Sequence, residues 1–122
     1  MMPPELPASG LPGARDDGGG FQVKVIPDRD RVIVAPAGEI DLATAPRIQR
    51  DVLGLLEQGF TRVVVDLRQV EFLDSQGIRA LVLAHNRARE LGATMPVLLG
   101  SAEGPRRALE ISGVLAYLDV DA

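Results

Sequence analysis

The sequence predicts a single α/β domain, in which a mixed, mostly parallel β-sheet of four to five strands packs against three to four helices. Three observations carry this expectation. Short β-branched runs alternate with stretches whose apolar residues recur at helical spacing. From residue 21 onward these follow one another in the order β-β-α-β-α-β-α, and the β-α-β crossovers demand parallel neighbours whereas the opening hairpin demands an antiparallel pair. Finally, 122 residues with 46% hydrophobic content suffice for one core and fall short of two.

Residues 1 to 20 hold nine prolines and glycines and almost nothing bulky enough to bury. Ordering them costs more entropy than their contacts return, which predicts a disordered tail ahead of a globular domain over 21–122. The closing GGG lacks the following Lys-Ser/Thr of a phosphate-cradling loop, and a flexible hinge explains it better. Phe21, Val23 and Val25 alternate with Gln22 and Lys24, and after the turn-like PDRD comes VIVA at 32–35, a hairpin pattern. Thr44 is placed to cap a helix and Pro46 fits its first turn. Ile48, Val52, Leu55 and Leu56 then recur at helical spacing until Gly59. The run RVVVDL at 62–67 is apolar on both faces, as a central strand is. A short loop, QVEFLDS, leads to a second helix from about Gln76 to Leu91, with Ile78, Leu81, Val82 and Ala88 on one face and Gly92 as its stop. MPVLLG at 95–100 reads as a strand. Ser101 is placed to cap a third helix that tolerates Pro105 in its first turn, turns Ala108, Leu109 and Ile111 inward and ends at Gly113. VLAYLDV then supplies an edge strand.

Composition excludes several function classes. Thirteen basic against seventeen acidic residues leave a net charge of -4, the opposite of what a phosphate backbone recruits, so nucleic acid is a poor partner. There is no cysteine and only one histidine, which removes disulfides, thiolate zinc sites and clusters of nitrogen ligands. The apolar runs VVV and ALVLA are far short of the roughly 20 residues a membrane span needs. The first twenty residues lack the basic start and apolar stretch of a secretory signal, which places the chain in the cytoplasm.

The most informative stretch is Leu73-Asp74-Ser75-Gln76-Gly77-Ile78. A serine hydroxyl stands where a loop passes into a helix, and a helix N-terminus presents free N–H groups and about half a positive charge. A phosphoryl group on Ser75 adds about -1.5 to -2 charge, and Asp74 and Glu71 sharpen its repulsion of an acidic partner. The simpler alternative is that Ser75 or Asp74 only caps the helix. Local chemistry leaves both readings open.

GEIDL at 38–42, VVVDL at 63–67, FLDSQGI at 72–78 and the glycine-rich helix ends, in this order and spacing, resemble the anti-sigma factor antagonist family of STAS domains. The resemblance covers roughly residues 21 to 120. It implies a STAS-like mixed sheet with helices, and a serine after the motif aspartate, here Ser75, phosphorylated by an anti-sigma factor serine/threonine kinase. It further implies that the unphosphorylated form binds the anti-sigma factor and frees the sigma factor. Phosphorylation would switch that binding off until a serine phosphatase resets it. No cofactor is implied, since ATP belongs to the kinase. Asp41 matches a loop acid that lies near the serine in the family, although a polar loop end is an equal explanation. Asp41, Asp74, Ser75, Gln76, Gly77, Ile78 and Arg79 are thus the expected partner-binding residues, with Ile78 equally suited to the core. One departure is Gln76, where the family often has Ser or Thr, so a second phosphoacceptor is missing.

Catalytic readings fail on geometry. A serine hydrolase needs a base within about 2.6 to 3.2 Å of its nucleophile. The only histidine, His85, lies ten residues along the same helix, about 15 Å from Ser75. It falls on the Ile78-Leu81-Val82 face and reads as half-buried. A phosphoaspartate receiver built on Asp66 requires a nearby lysine, and the sole lysine is Lys24 in the hairpin. Asp41, Asp66 and Asp74 are better explained as solvated loop carboxylates than as magnesium ligands. Arg87, Arg89, Arg106 and Arg107 fit exposed helix faces. The serious alternative is a STAS subunit serving as a permanent scaffold in a lipid-transport or stress-sensing assembly, with Ser75 only capping its helix.

Overall fold

The computed structural model describes residues 20–121. The Pro/Gly-rich tail lies outside the described residues apart from Gly20. Nine elements follow: β1 Gln22–Asp28, β2 Arg31–Ile40, α1 Ala45–Glu57, β3 Arg62–Asp66, β4 Gln69–Leu73, α2 Ser75–Glu90, β5 Pro96–Leu98, α3 Glu103–Ser112 and β6 Asp119–Asp121.

The six strands form one mixed sheet in the order β1-β2-β3-β5-β6, with β4 also paired to β2. The opening hairpin is antiparallel, with Val25 opposite Val34. All other pairings are parallel. The β-branched run 63–65 therefore occupies the middle of the sheet, and Val63, Val64 and Val65 are all buried. β2 is the longest strand because it serves two neighbours in succession. Its first half pairs with β3 and its second half with β4.

Strand periodicity explains what is buried. Val32 and Val34 in β2, Val63 and Val65 in β3, and Val97 in β5 join one core with Ile48, Val52 and Leu56 of α1 and Ala80, Leu81, Ala84 and Ala88 of α2. The helical residues recur at three and four, so each helix offers one apolar stripe to the sheet. α1 and α2 also pack on one another. An ion pair from Arg87 to Glu57 (2.6 Å) ties their C-terminal ends.

The sheet exceeds the expected count by one strand. Residues 69–73, read as loop, form β4. Its buried residues Val70 and Leu73 are three apart because Glu71 is an extra residue in the register between Gly38–Val70 and Glu39–Phe72. This β-bulge breaks the period of two by which a strand is recognised. α3 packs against β4. The contact is close, since a Cβ at Gly104 would lie 2.6 Å from the Glu71 carbonyl oxygen.

Four local expectations are corrected. Thr44 makes no capping hydrogen bond to α1, because its hydroxyl is used within the preceding loop. Ser101 is not the α3 cap; the helix begins after Ala102 with no side-chain cap. Ile111 is 77% exposed. Only Pro105 and Leu109 of α3 are buried, and Ile111 lies about 200° around the helix from Leu109. The edge strand near the C-terminus is shorter than 114–120, because residues 114–118 first make a turn in which the N–H groups of Tyr117 and Leu118 both donate to the Val114 carbonyl.

Candidate functional site

The C-terminal ends of β2 and β4 lie side by side, with Ile40 paired to Leu73. Two loops emerge there together, one carrying Asp41 and Leu42, the other Asp74 and the start of α2. The backbone N–H of Asp74 donates to the Ile40 carbonyl (3.1 Å), locking one loop against the other. In α/β sheets the carboxyl ends of parallel strands are where sites are commonly built.

Each loop folds on its own carboxylate. Asp41 Oδ1 accepts from the N–H groups of Ala43 (3.0 Å) and Thr44 (3.2 Å). In return the Asp41 N–H donates to Thr44 Oγ1 (2.9 Å), whose hydroxyl donates to the Glu39 carbonyl (2.8 Å). In the second loop Asp74 Oδ1 accepts from the N–H groups of Gln76 (2.9 Å) and Gly77 (3.1 Å), which makes Asp74 the N-cap of α2. This distinguishes the two residues that local sequence left equivalent. Asp74 performs the capping, and Ser75 stands exposed at the first helical position.

Gln76 and Arg79 are also exposed, whereas Asp41, Asp74 and Ile78 are half-buried. Ile78 packs against the core. Gly77 is buried and closely packed from beneath. A Cβ there would fall against Leu73 Cδ1 and within 2.8 Å of Ile40 Cγ2. Gly77 therefore lets α2 approach the two strand ends. Two residues missed by sequence reasoning stand at the same corner: Leu42, 71% exposed in the Asp41 loop, and Phe72, 49% exposed and paired with Glu39. Leu42 was legible as the apolar residue following the loop acid in GEIDL. Phe72 was hidden by the bulge.

The remaining candidates lie apart from this corner or are already engaged. Asp66 accepts from the Arg68 backbone N–H (3.0 Å) and guanidinium (2.9 Å at both oxygens), and the guanidinium holds its carboxyl below the usual range. Asp41, Asp66 and Asp74 are thus occupied separately, each by its own turn. Among the described residues no three acids or histidines cluster at metal-binding spacing. His85 is buried on α2, edge-on to the Tyr117 ring with centroids 5.1 Å apart. Its Nδ1 has no hydrogen-bond partner among the described residues. Burial, reinforced by the Arg89 charge and opposed by Asp119, pushes its pKa down. Among the described residues no helix is long and apolar enough to cross a membrane.

An anti-sigma-B factor antagonist of Listeria monocytogenes is 29% identical over 94 residues, covering 76% of this chain and 81% of that protein. The crystal structure of an anti-sigma factor antagonist from Mycobacterium paratuberculosis superimposes with a TM-score of 0.71 at 25% identity, covering 82% of this chain and 84% of that one. The anti-sigma factor antagonist SpoIIAA in its unphosphorylated form shares the fold, with a TM-score of 0.64 at 17% identity over 84% of this chain and 87% of its own. The sequence pattern that defines the STAS domain matches residues 21–122, and the chain belongs to the STAS domain family.

Proposed function

We propose that this chain is an anti-sigma factor antagonist, a cytoplasmic binding module without catalysis of its own, whose affinity for an anti-sigma factor is switched at Ser75. The observation that carries the reading is the division of labour at the start of α2. Asp74 satisfies the helix N-terminus and leaves the neighbouring Ser75 exposed, on a corner shared with the Asp41 loop. The names of the relatives support the partner class.

Leu42 in the Asp41 loop and Phe72 near the end of β4 are exposed apolar side chains available to a partner, Asp41, Gln76 and Arg79 are polar ones, and Ile78 is half-buried. The unphosphorylated corner docks on an anti-sigma factor with serine/threonine kinase activity and displaces the sigma factor. The kinase brings ATP: Ser75 Oγ bonds to the γ-phosphorus, its proton passes to a base of the kinase, and ADP departs. The added charge, about -1.5 to -2, stands next to Asp74 and has no place in an interface formed around a neutral hydroxyl. A serine phosphatase restores the hydroxyl by hydrolysis.

The test is intact mass and peptide mapping of the protein purified from its own cells, beside Ser75→Ala. A phosphate on Ser75 and a partner retained better by the alanine variant are expected. An unmodified Ser75 with one constant partner under all growth conditions overturns the switch and leaves a scaffold subunit.

A further inference from the structure

We infer that Arg79 is the clamp for a phosphoryl group on Ser75, holding it against α2 by a charge-assisted contact; this rests on Ser75 being the modified residue. Ser75 is the first residue of α2 and Arg79 the fifth, and both are exposed. Residues four apart on a helix are surface neighbours, with Cβ atoms about 5 to 6 Å apart. The acid-first, base-second order is the favourable orientation for such a pair. Among the described residues none of the ion pairs involves Arg79, whereas Arg31, Arg50, Arg68 and Arg87 each have a carboxylate within ion-pairing distance. The first turn of α2 contains no acidic residue to compete for it. The capping carboxylate of Asp74 is directed onto the N–H groups of Gln76 and Gly77.

Before modification, then, a neutral hydroxyl and a free cation sit on one stripe of the helix. A phosphoryl group changes both at once. Its oxygens match the planar guanidinium fork, which Arg presents in bidentate fashion. The phosphate becomes a fixed feature of the helix, and the Arg79 charge is withdrawn from any partner. Phosphorylation therefore alters the surface twice, adding an anion and consuming a cation. Arg79 acts here as a positioning residue.

The experiment uses the full chain with phosphoserine incorporated at position 75, compared with the same protein carrying Arg79→Gln or, as a remote control, Arg107→Gln. Phosphorus NMR titration reads the second ionisation of the phosphate, ordinarily near 6. A neighbouring guanidinium favours the dianion, so Arg79→Gln is expected to raise that pKa by about half a unit, threefold in proton affinity, while the Arg107 variant leaves it in place. Equal values in all three proteins overturn the clamp. Partner affinity of the native-sequence chain, with and without phosphoserine at position 75, separates the two ideas. Loss of partner binding with an unmoved phosphate pKa keeps the switch and removes the clamp. A shifted pKa with undiminished partner binding keeps the clamp and removes the switch.

Discussion

At the scale of single residues the corner depends on Asp74 and Gly77, which do opposite things. Asp74 places an oxygen on two N–H groups that otherwise have no intrahelical partner. Asp74→Ala is expected to cost about 1 kcal/mol in urea unfolding, while Asp74→Asn, which keeps an accepting oxygen, stays within a few tenths. The asparagine variant thereby isolates the charge: if it phosphorylates and binds as the native protein does, Asp74 is a structural cap only. Gly77 contributes by lacking a side chain. Alanine improves helix propensity by up to about 1 kcal/mol, but its methyl group collides with Leu73 and Ile40, and overpacking of this kind costs about 1 to 3 kcal/mol. A lowered melting temperature for Gly77→Ala is the expected result. The sequence placed Ser75, Asp74 and Asp41 on loop ends correctly because Asp and Ser at a helix start have few other uses. The cap was ambiguous because adjacent Asp and Ser satisfy the same rule, and only the backbone angles decide which oxygen faces the helix.

At the scale of elements, β1, the first half of β2, α1 and α2 were legible from their periods, and β3 from a β-branched run that is apolar on both faces. β4 was not, since the extra residue at Glu71 disrupts the alternation on which recognition depends. α3 illustrates a related limit: ten residues with two buried side chains do not reveal which third apolar residue completes the stripe, and the tertiary neighbours selected against Ile111. Leu109→Ala is expected to cost about 2 to 5 kcal/mol and Ile111→Ser less than about 0.5, by chemical denaturation. α2 carries the chain's single histidine, whose titration is shifted. His85 is buried, and burial holds its folded pKa below the ordinary 6.5. Well above pH 6.5 it is uncharged in both the folded and unfolded states and makes no demand on stability. As pH falls below 6.5, the unfolded chain takes up a proton that the folded one resists, so stability declines until the folded pKa is reached. The charged groups facing the ring act against each other, Arg89 lowering and Asp119 raising its pKa. His85→Phe keeps an aromatic ring against Tyr117 and removes the titration. Melting curves at pH 5.5 and 7.5 should show a smaller difference for this variant than for the native chain, and an unchanged difference rejects the assignment.

At the scale of the molecule, a sheet with parallel strands ending side by side brings the loop 41–44 and the start of α2 at Asp74 and Ser75, from separate parts of the chain, into one corner. This juxtaposition sets the exposed Ser75 at a helix start next to the loop that carries Asp41, and the proposed switch acts there. The same geometry serves a permanent scaffold equally well, and what divides the two is the response of the interface to charge. The direct measurement is a calorimetric titration of the co-purified partner with the full chain, once unmodified and once carrying phosphoserine at position 75. The switch predicts an affinity loss of about a thousandfold, equivalent to about 4 kcal/mol. Equal affinities for the two forms contradict it.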